Sequence, residues 1–113
     1  MDKYTPTCIL IHIAASAPRR RAPAVQTAGG VLVLTADHGN ADCMFTEKDG
    51  VREPMVAHTL NPVPFIVKDF SGANRFEPAA VATPGLSNVA ATLLALLGYD
   101  KPADYDPSLL TLA

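Results

Sequence analysis

Excess basic charge, cysteine pairs and long apolar runs are all missing from this sequence. Nine Lys and Arg stand against eleven Asp and Glu, a formal net charge of −2, which argues against nucleic-acid binding through general basicity. The two cysteines, Cys8 and Cys43, are too few for a disulfide framework and lack the paired spacing of a zinc knuckle. They read as ordinary buried or half-buried thiols, which fits a reducing cytoplasm. No segment reaches the ~18 apolar residues of a membrane span. The run "CILIHIAASA" does end in Ala15-Ser16-Ala17, the small-x-small form of a signal cleavage site, but Asp2 offsets Lys3 ahead of it and His12 interrupts it. A glycine-rich phosphate loop is also missing. None of Ser16, Ser71, Ser87 and Ser108 sits on a strand-to-helix elbow. Neither a serine hydrolase triad nor a nucleotide-binding fold can be assembled from this chain.

What is present is the composition of a soluble globular protein: 113 residues, 49% hydrophobic and 18% charged, enough for one domain or part of one. Ten prolines and seven glycines predict many loops and short elements. Residues 1–24 show no sustained helical period, and Arg19, Arg20 and Arg21 between prolines read as a solvated or disordered basic run. From Ala24 the text is coherent. "AVQTAGG" is the last turn of a helix closed by Gly29 or Gly30. "VLVLTA" is a continuous aliphatic run suited to a strand covered on both faces, as in a parallel or mixed α/β sheet. Asp49-Gly50 marks a two-residue turn. Pro62 and Pro64 force Asn61 and Val63 toward extended geometry ahead of a second strand, "PFIVKD". In "LSNVAATLLALLG", Val89, Ala90, Leu93, Leu94, Leu96 and Leu97 recur at helical spacing and are assigned to the core. Ser87 or Asn88 caps this helix and Gly98 closes it. The tail packs through Leu109, Leu110 and Leu112.

The chemistry concentrates in "LTADHGNAD". Neighbours on a regular strand point to opposite faces, so Asp37 and His38 converge only if the backbone turns there. Gly39 permits that turn through its tolerance of positive φ, and Asn40 can satisfy exposed backbone groups. A carboxylate and an imidazole aimed at one spot above a sheet form a ligand set for manganese, zinc, magnesium or iron, without choosing among them. The alternative is a turn in which Asp37 caps the following segment and His38 lies on the surface. His58, ahead of a proline-stiffened strand, is a further imidazole held with little motion. A lone histidine there would be structural; together with Asp37 and His38 it reads as a ligand. His12 reads as structural.

"TADHGNAD", "HTLNPVPFIV" and "GLSNVAATLLALLGYDKPADYDPSLL", in this order and spacing, resemble the C-terminal end of the cofactor-independent (2,3-bisphosphoglycerate-independent) phosphoglycerate mutases of the alkaline phosphatase superfamily, over roughly Ala24 to Leu112. The resemblance implies an α/β fold: the C-terminal part of an alkaline-phosphatase-like sheet flanked by helices, and incomplete. It implies interconversion of 3-phosphoglycerate and 2-phosphoglycerate in glycolysis through a phosphoserine, in the cytoplasm. Two divalent metal ions, usually manganese, would activate that serine, at the ~3.5–4 Å separation that lets two ions stabilise both oxygens of a displacement. Asp37 and His38 correspond to ligands of the ion nearer the serine and His58 to a ligand of the other. Asn61 and Pro62 match the family text without a catalytic role.

The departures carry expectations of their own. The family's serine, its other metal-binding aspartates, its substrate-binding arginines and its inserted domain lie upstream of what this chain contains. Residues 1–24 do not match the family's text, and a frame-disrupted gene product is one reading of them. Residues 25–113 form the C-terminal part of the metal-binding domain. The chain alone is then expected to be inactive, to bind divalent metal weakly, and to expose a sheet edge and apolar faces that a missing N-terminal half covers. Two alternatives stand beside this reading: a fragment of another hydrolase of the superfamily (a phosphatase or sulfatase), and a non-catalytic small α/β module. No nucleic-acid or membrane partner is expected.

Overall fold

The computed structural model describes residues 16–73 and 76–112; Cys8 and His12 lie outside them. The chain divides after Phe70 into two units.

The first described element of the first unit is α1, Ser16–Thr27. This helix runs through the arginine cluster, where the sequence shows no helical period. Two prolines and three arginines within twelve residues hide it. Pro18 lies in the first turn, where no intrahelical donor is needed. Pro23 removes one interior bond. The Thr27 hydroxyl donates to the Pro23 carbonyl at 2.9 Å. The helix closes as expected, with Gly29 at φ +63°. The Gly30 amide donates to the Val25 carbonyl and the Gly29 amide to the Gln26 carbonyl, both at 3.0 Å, the paired bonds of a Schellman closure.

The chain then enters β1, Val31–Leu34, which pairs antiparallel with β4, Ile66–Asp69, from Val31↔Asp69 to Leu34↔Ile66. The "VLVL" run is therefore half-buried in a two-stranded antiparallel ribbon, with α1 packed against it. Cover on both faces and a parallel neighbour are not found for it among the described residues. Between these strands, β2 (Phe45–Lys48) and β3 (Val51–Pro54) form a hairpin exposed along its whole length. Asp49-Gly50 forms its turn, with φ of +52° and +77°, the signs of a type I′ turn. The Arg52 guanidinium lies 4.1 Å over the Phe45 ring.

The second unit carries β5 (Phe76–Pro78), a 3₁₀ turn (Leu86–Asn88), α2 (Val89–Leu96) and β6 (Leu110–Leu112). β6 pairs antiparallel with β5, Phe76 opposite Leu112, so the tail packs on this unit. Asn88 stands at the start of α2, but its buried side chain makes no capping bond to that helix. It accepts from the Gly85 amide and donates to the Pro107 carbonyl, both at 2.8 Å. Thr92, also buried, donates to the Asn88 carbonyl at 2.7 Å and accepts from the Leu109 amide at 2.9 Å. Gly98, at φ +81°, closes α2 with the bonds that close α1: its own amide to Ala95 and the Tyr99 amide to Leu94. The leucine stripe assigned to the core is split. Leu94 and Leu96 are half-buried, Leu93 and Leu97 are exposed, and the most buried face is Asn88, Ala91 and Thr92. What this unit packs on the helix is its own tail, and the tail lies on the face of small and polar residues.

Mixed helices and strands make the fold α/β, as the sequence predicts. No described helix is long and apolar enough to cross a membrane.

Candidate metal centre

β1 ends at Leu34, and the backbone bends at Asp37 and His38. The bend achieves what a regular strand could not: His38 Nε2 lies 3.5 Å from Asp37 Oδ2. The other ring nitrogen, Nδ1, lies 3.1 Å from the Gly39 carbonyl oxygen. A carbonyl can only accept, so in the neutral ring Nδ1 carries the proton and Nε2 keeps its lone pair. A backbone carbonyl holding the non-ligating nitrogen is the usual way a metal-binding histidine is oriented. Two donors sharing one ion at ~2.1 Å each lie about 3.0–3.4 Å apart at octahedral to tetrahedral angles. The Asp37–His38 spacing is close to that. Asp37 is open to solvent, its side chain 86% exposed against 36% for His38.

His58 arrives from the other side. Gly39 and Thr59 form an isolated antiparallel bridge, the Thr59 amide donating to the Gly39 carbonyl at 2.9 Å. The residue before each partner then lies on the same face as a diagonal neighbour, within reach for aromatic rings. The His38 and His58 rings accordingly stack, centroids 3.6 Å apart and planes 22° from parallel. The structure thus pairs Asp37 with His38 and stacks His58 on His38. Among the described residues, however, no three His, Cys, Asp or Glu side chains converge closely enough to hold a single ion. The arrangement is a donor pair with a second imidazole beside it. Cys43 is a free thiol, half-buried, its Sγ 3.5 Å from the Phe45 carbonyl.

Gly39 is required for a reason other than the one the sequence suggests. Its φ is not among the positive ones. A Cβ there would collide with the Thr59 hydroxyl and come within 2.6 Å of Asp42 Oδ1. That space is filled by a cluster the sequence reading missed. Asp42 Oδ2 accepts from Thr59 Oγ1 at 2.8 Å and from Asn61 Nδ2 at 2.6 Å. The Asn61 amide, then the Thr59 hydroxyl, hold the Asp42 carboxyl below the usual carboxylate range. Thr59 is buried. A signal for this existed: Thr59 and Asn61 are two apart on a segment that Pro62 keeps extended, so they share a face opposite His58.

A histidine-carboxylate pair at the end of a strand, with a second imidazole stacked on it, is a set of donor types that divalent metals accept. The sequence profile of the Metalloenzyme superfamily matches residues 22–101, and the chain belongs to that superfamily. The proteins it resembles are phosphoglycerate mutases. It is 48% identical over 89 residues to a probable 2,3-bisphosphoglycerate-independent phosphoglycerate mutase of Leptospira interrogans, covering 71% of this chain and 16% of that protein. It is 37% identical over 115 residues to a probable 2,3-bisphosphoglycerate-independent phosphoglycerate mutase 2 of Arabidopsis thaliana, covering 92% and 20%. A share that large takes in part of residues 1–24. A crystal structure of Leishmania mexicana phosphoglycerate mutase at low cobalt concentration superposes with a TM-score of 0.77 and 33% identity, over 87% of this chain and 20% of that one. The chain therefore spans about one-sixth to one-fifth of the length of the relatives it matches.

Proposed function

We propose that this chain carries part of the dinuclear metal centre of a phosphoglycerate mutase that interconverts 3-phosphoglycerate and 2-phosphoglycerate in cytoplasmic glycolysis. Asp37 and His38 bind one divalent ion and His58 binds the other, with manganese the expected metal. The observation that carries this reading is the His38–His58 stack. Imidazole lone pairs lie in the ring plane, so near-parallel rings 3.6 Å apart keep their donors in separate, nearly parallel planes. Such rings suit two neighbouring ions better than chelation of one, and their separation matches the ~3.5–4 Å of two-metal phosphoryl-transfer sites. The free Nε2 of His38 beside the Asp37 carboxylate supports the same assignment for the first ion. Bound there, divalent cations would stabilise phosphoryl oxygens and activate a hydroxyl nucleophile.

The chain's own residues orient imidazoles and a carboxylate; the serine nucleophile and the remaining ligands belong to the longer protein. The 113-residue chain alone is expected to turn over no phosphoglycerate. A titration of the purified chain with Co²⁺, followed by visible absorption, tests the ligand assignment. Two binding steps are expected, with His38→Gln removing one and His58→Gln the other. If both variants lose the same single step, or if the folded wild-type chain develops no absorption band, the assignment fails.

A further inference from the structure

The segments that bear the two imidazoles are joined by a single backbone bridge, Gly39↔Thr59, outside any ladder. One amide-to-carbonyl bond is a pivot: it fixes the separation of two segments but not their mutual rotation. Ring stacking at a 3.6 Å centroid distance requires the rotation to be fixed as well. The Met55 amide donates to the Met44 carbonyl at 2.8 Å at the mouth of the hairpin, and nearer the rings two side-chain hydrogen bonds are added, from Thr59 Oγ1 and from Asn61 Nδ2 to Asp42 Oδ2.

We infer that Asp42, with Thr59 and Asn61, is a positioning device for the two imidazoles: its carboxylate locks the loop after β1 onto the 58–61 segment, and this lock sets the His38–His58 stack. The inference rests on reading those rings as metal ligands, and it adds to that reading the residues that aim them.

Three observations carry it. The lock occupies the place of a missing side chain, because a Cβ on Gly39 would meet Thr59 Oγ1 and both Asp42 carboxylate oxygens. The bare glycine and the two side chains are therefore one fitted unit. The lock also lies on the opposite face of the extended segment from His58, since Thr59 and Asn61 alternate with His58 and Leu60. It can hold the rings without touching a nitrogen that must stay free. Finally, the Gly39 carbonyl that accepts from the Thr59 amide is the one facing His38 Nδ1. One carbonyl with two lone pairs joins the bridge to the proton position of the ring, so a displaced bridge misplaces the ring. The lowered pKa of Asp42, caused first by the Asn61 amide and then by the Thr59 hydroxyl, accords with a carboxylate that accepts both bonds in its charged form.

The test is made on the metal-free 113-residue chain by NMR. The wild type should show nuclear Overhauser contacts between the His38 and His58 ring protons. Asp42→Ala and Thr59→Val should lose them, Thr59→Ser should keep them because its hydroxyl remains, and the amide signals of the β1–β4 pairing should be unchanged in all three. Co²⁺ affinity should fall about 10- to 100-fold in Asp42→Ala, the usual effect of removing a group that orients a metal ligand, and Thr59→Ser should restore it relative to Thr59→Val. Ring contacts that persist undiminished in Asp42→Ala and Thr59→Val overturn the inference while leaving the ligand assignment standing. A wild-type chain that shows the stack, loses it in Asp42→Ala and binds no Co²⁺ leaves the lock standing and removes the ligand assignment.

Discussion

The His38 and His58 rings lie face to face, 3.6 Å between centroids, although twenty residues of sequence and a whole exposed hairpin separate them. The bridge at Gly39 and Thr59 produces this relationship, because each histidine immediately precedes a bridge partner. The same register turns Thr59 and Asn61 toward Asp42. A short stretch of pairing therefore sorts the local side chains into a ligand face and a locking face.

Gly39→Ala should disrupt that sorting. The new Cβ has no room beside Thr59 and Asp42, and an overpacked site of this kind costs about 1–3 kcal/mol. Urea unfolding should report a loss in that range, together with loss of the ring contacts between His38 and His58. A variant as stable as the wild type, with the stack intact, would show that the loop opens freely.

Acid should release the lock late. The Asp42 carboxyl is held below its ordinary value of 3.8, chiefly by the Asn61 amide and then by the Thr59 hydroxyl. A depressed folded-state value means that the contribution is fully present above the ordinary carboxylate range. It is lost as pH falls through the lowered value. The Asn61 side-chain amide protons, followed by NMR during acid titration, should change with a midpoint below 3.8. A midpoint at or above that value contradicts the hydrogen bonding described.

In the second unit, Asn88→Leu should be strongly destabilising. Asn88 is 2% exposed, and removing its amide strands the Gly85 amide and the Pro107 carbonyl. Each lost hydrogen bond costs about 0.5–1.5 kcal/mol, because Gly85 and Pro107 are exposed, and the apolar side chain adds the loss of a fitted polar site. Hydrogen exchange at the Leu109 amide, which bonds to the neighbouring Thr92 hydroxyl, should accelerate sharply. Unchanged protection there would mean that the tail is held by its apolar contacts instead.

Gly98→Ala should destabilise α2 by about 1–2 kcal/mol, the penalty for a side chain in the left-handed conformation, because Gly98 sits at φ +81°. Circular dichroism melting of the variant measures it.

Local chemistry was legible in the sequence and distant chemistry was not. Helix closure at Gly29 and Gly98, the Asp49-Gly50 turn and the strand after the twin prolines follow from residues within a few positions of one another, and each stands where the text puts it. The convergence of Asp37 and His38 was likewise readable, because adjacent residues can meet only across a bend. The Asp42 lock joins partners 17 and 19 residues apart, and no local pattern announces such a pairing. Local sequence points Gly39 toward a turn because glycine more often signals conformation than crowding. α1 was hidden by Pro18 and Pro23, which break the period without breaking the helix. Spacing alone assigns the leucines of α2 to the core, whereas the face this chain covers is that of Ala91 and Thr92. Exposed Val56, Leu60 and Leu97 accord with a chain that spans no more than 20% of its relatives and make aggregation of the isolated chain an expected outcome.

The division of the two imidazoles between two ions is tested most directly by ¹⁵N-histidine NMR of the folded chain during Zn²⁺ addition. His38 should shift at Nε2 while Nδ1 stays protonated against the Gly39 carbonyl, and His58 should respond in a separate step. Simultaneous shifts of both rings at one equivalent of metal, or a His38 that binds through Nδ1, would contradict this assignment.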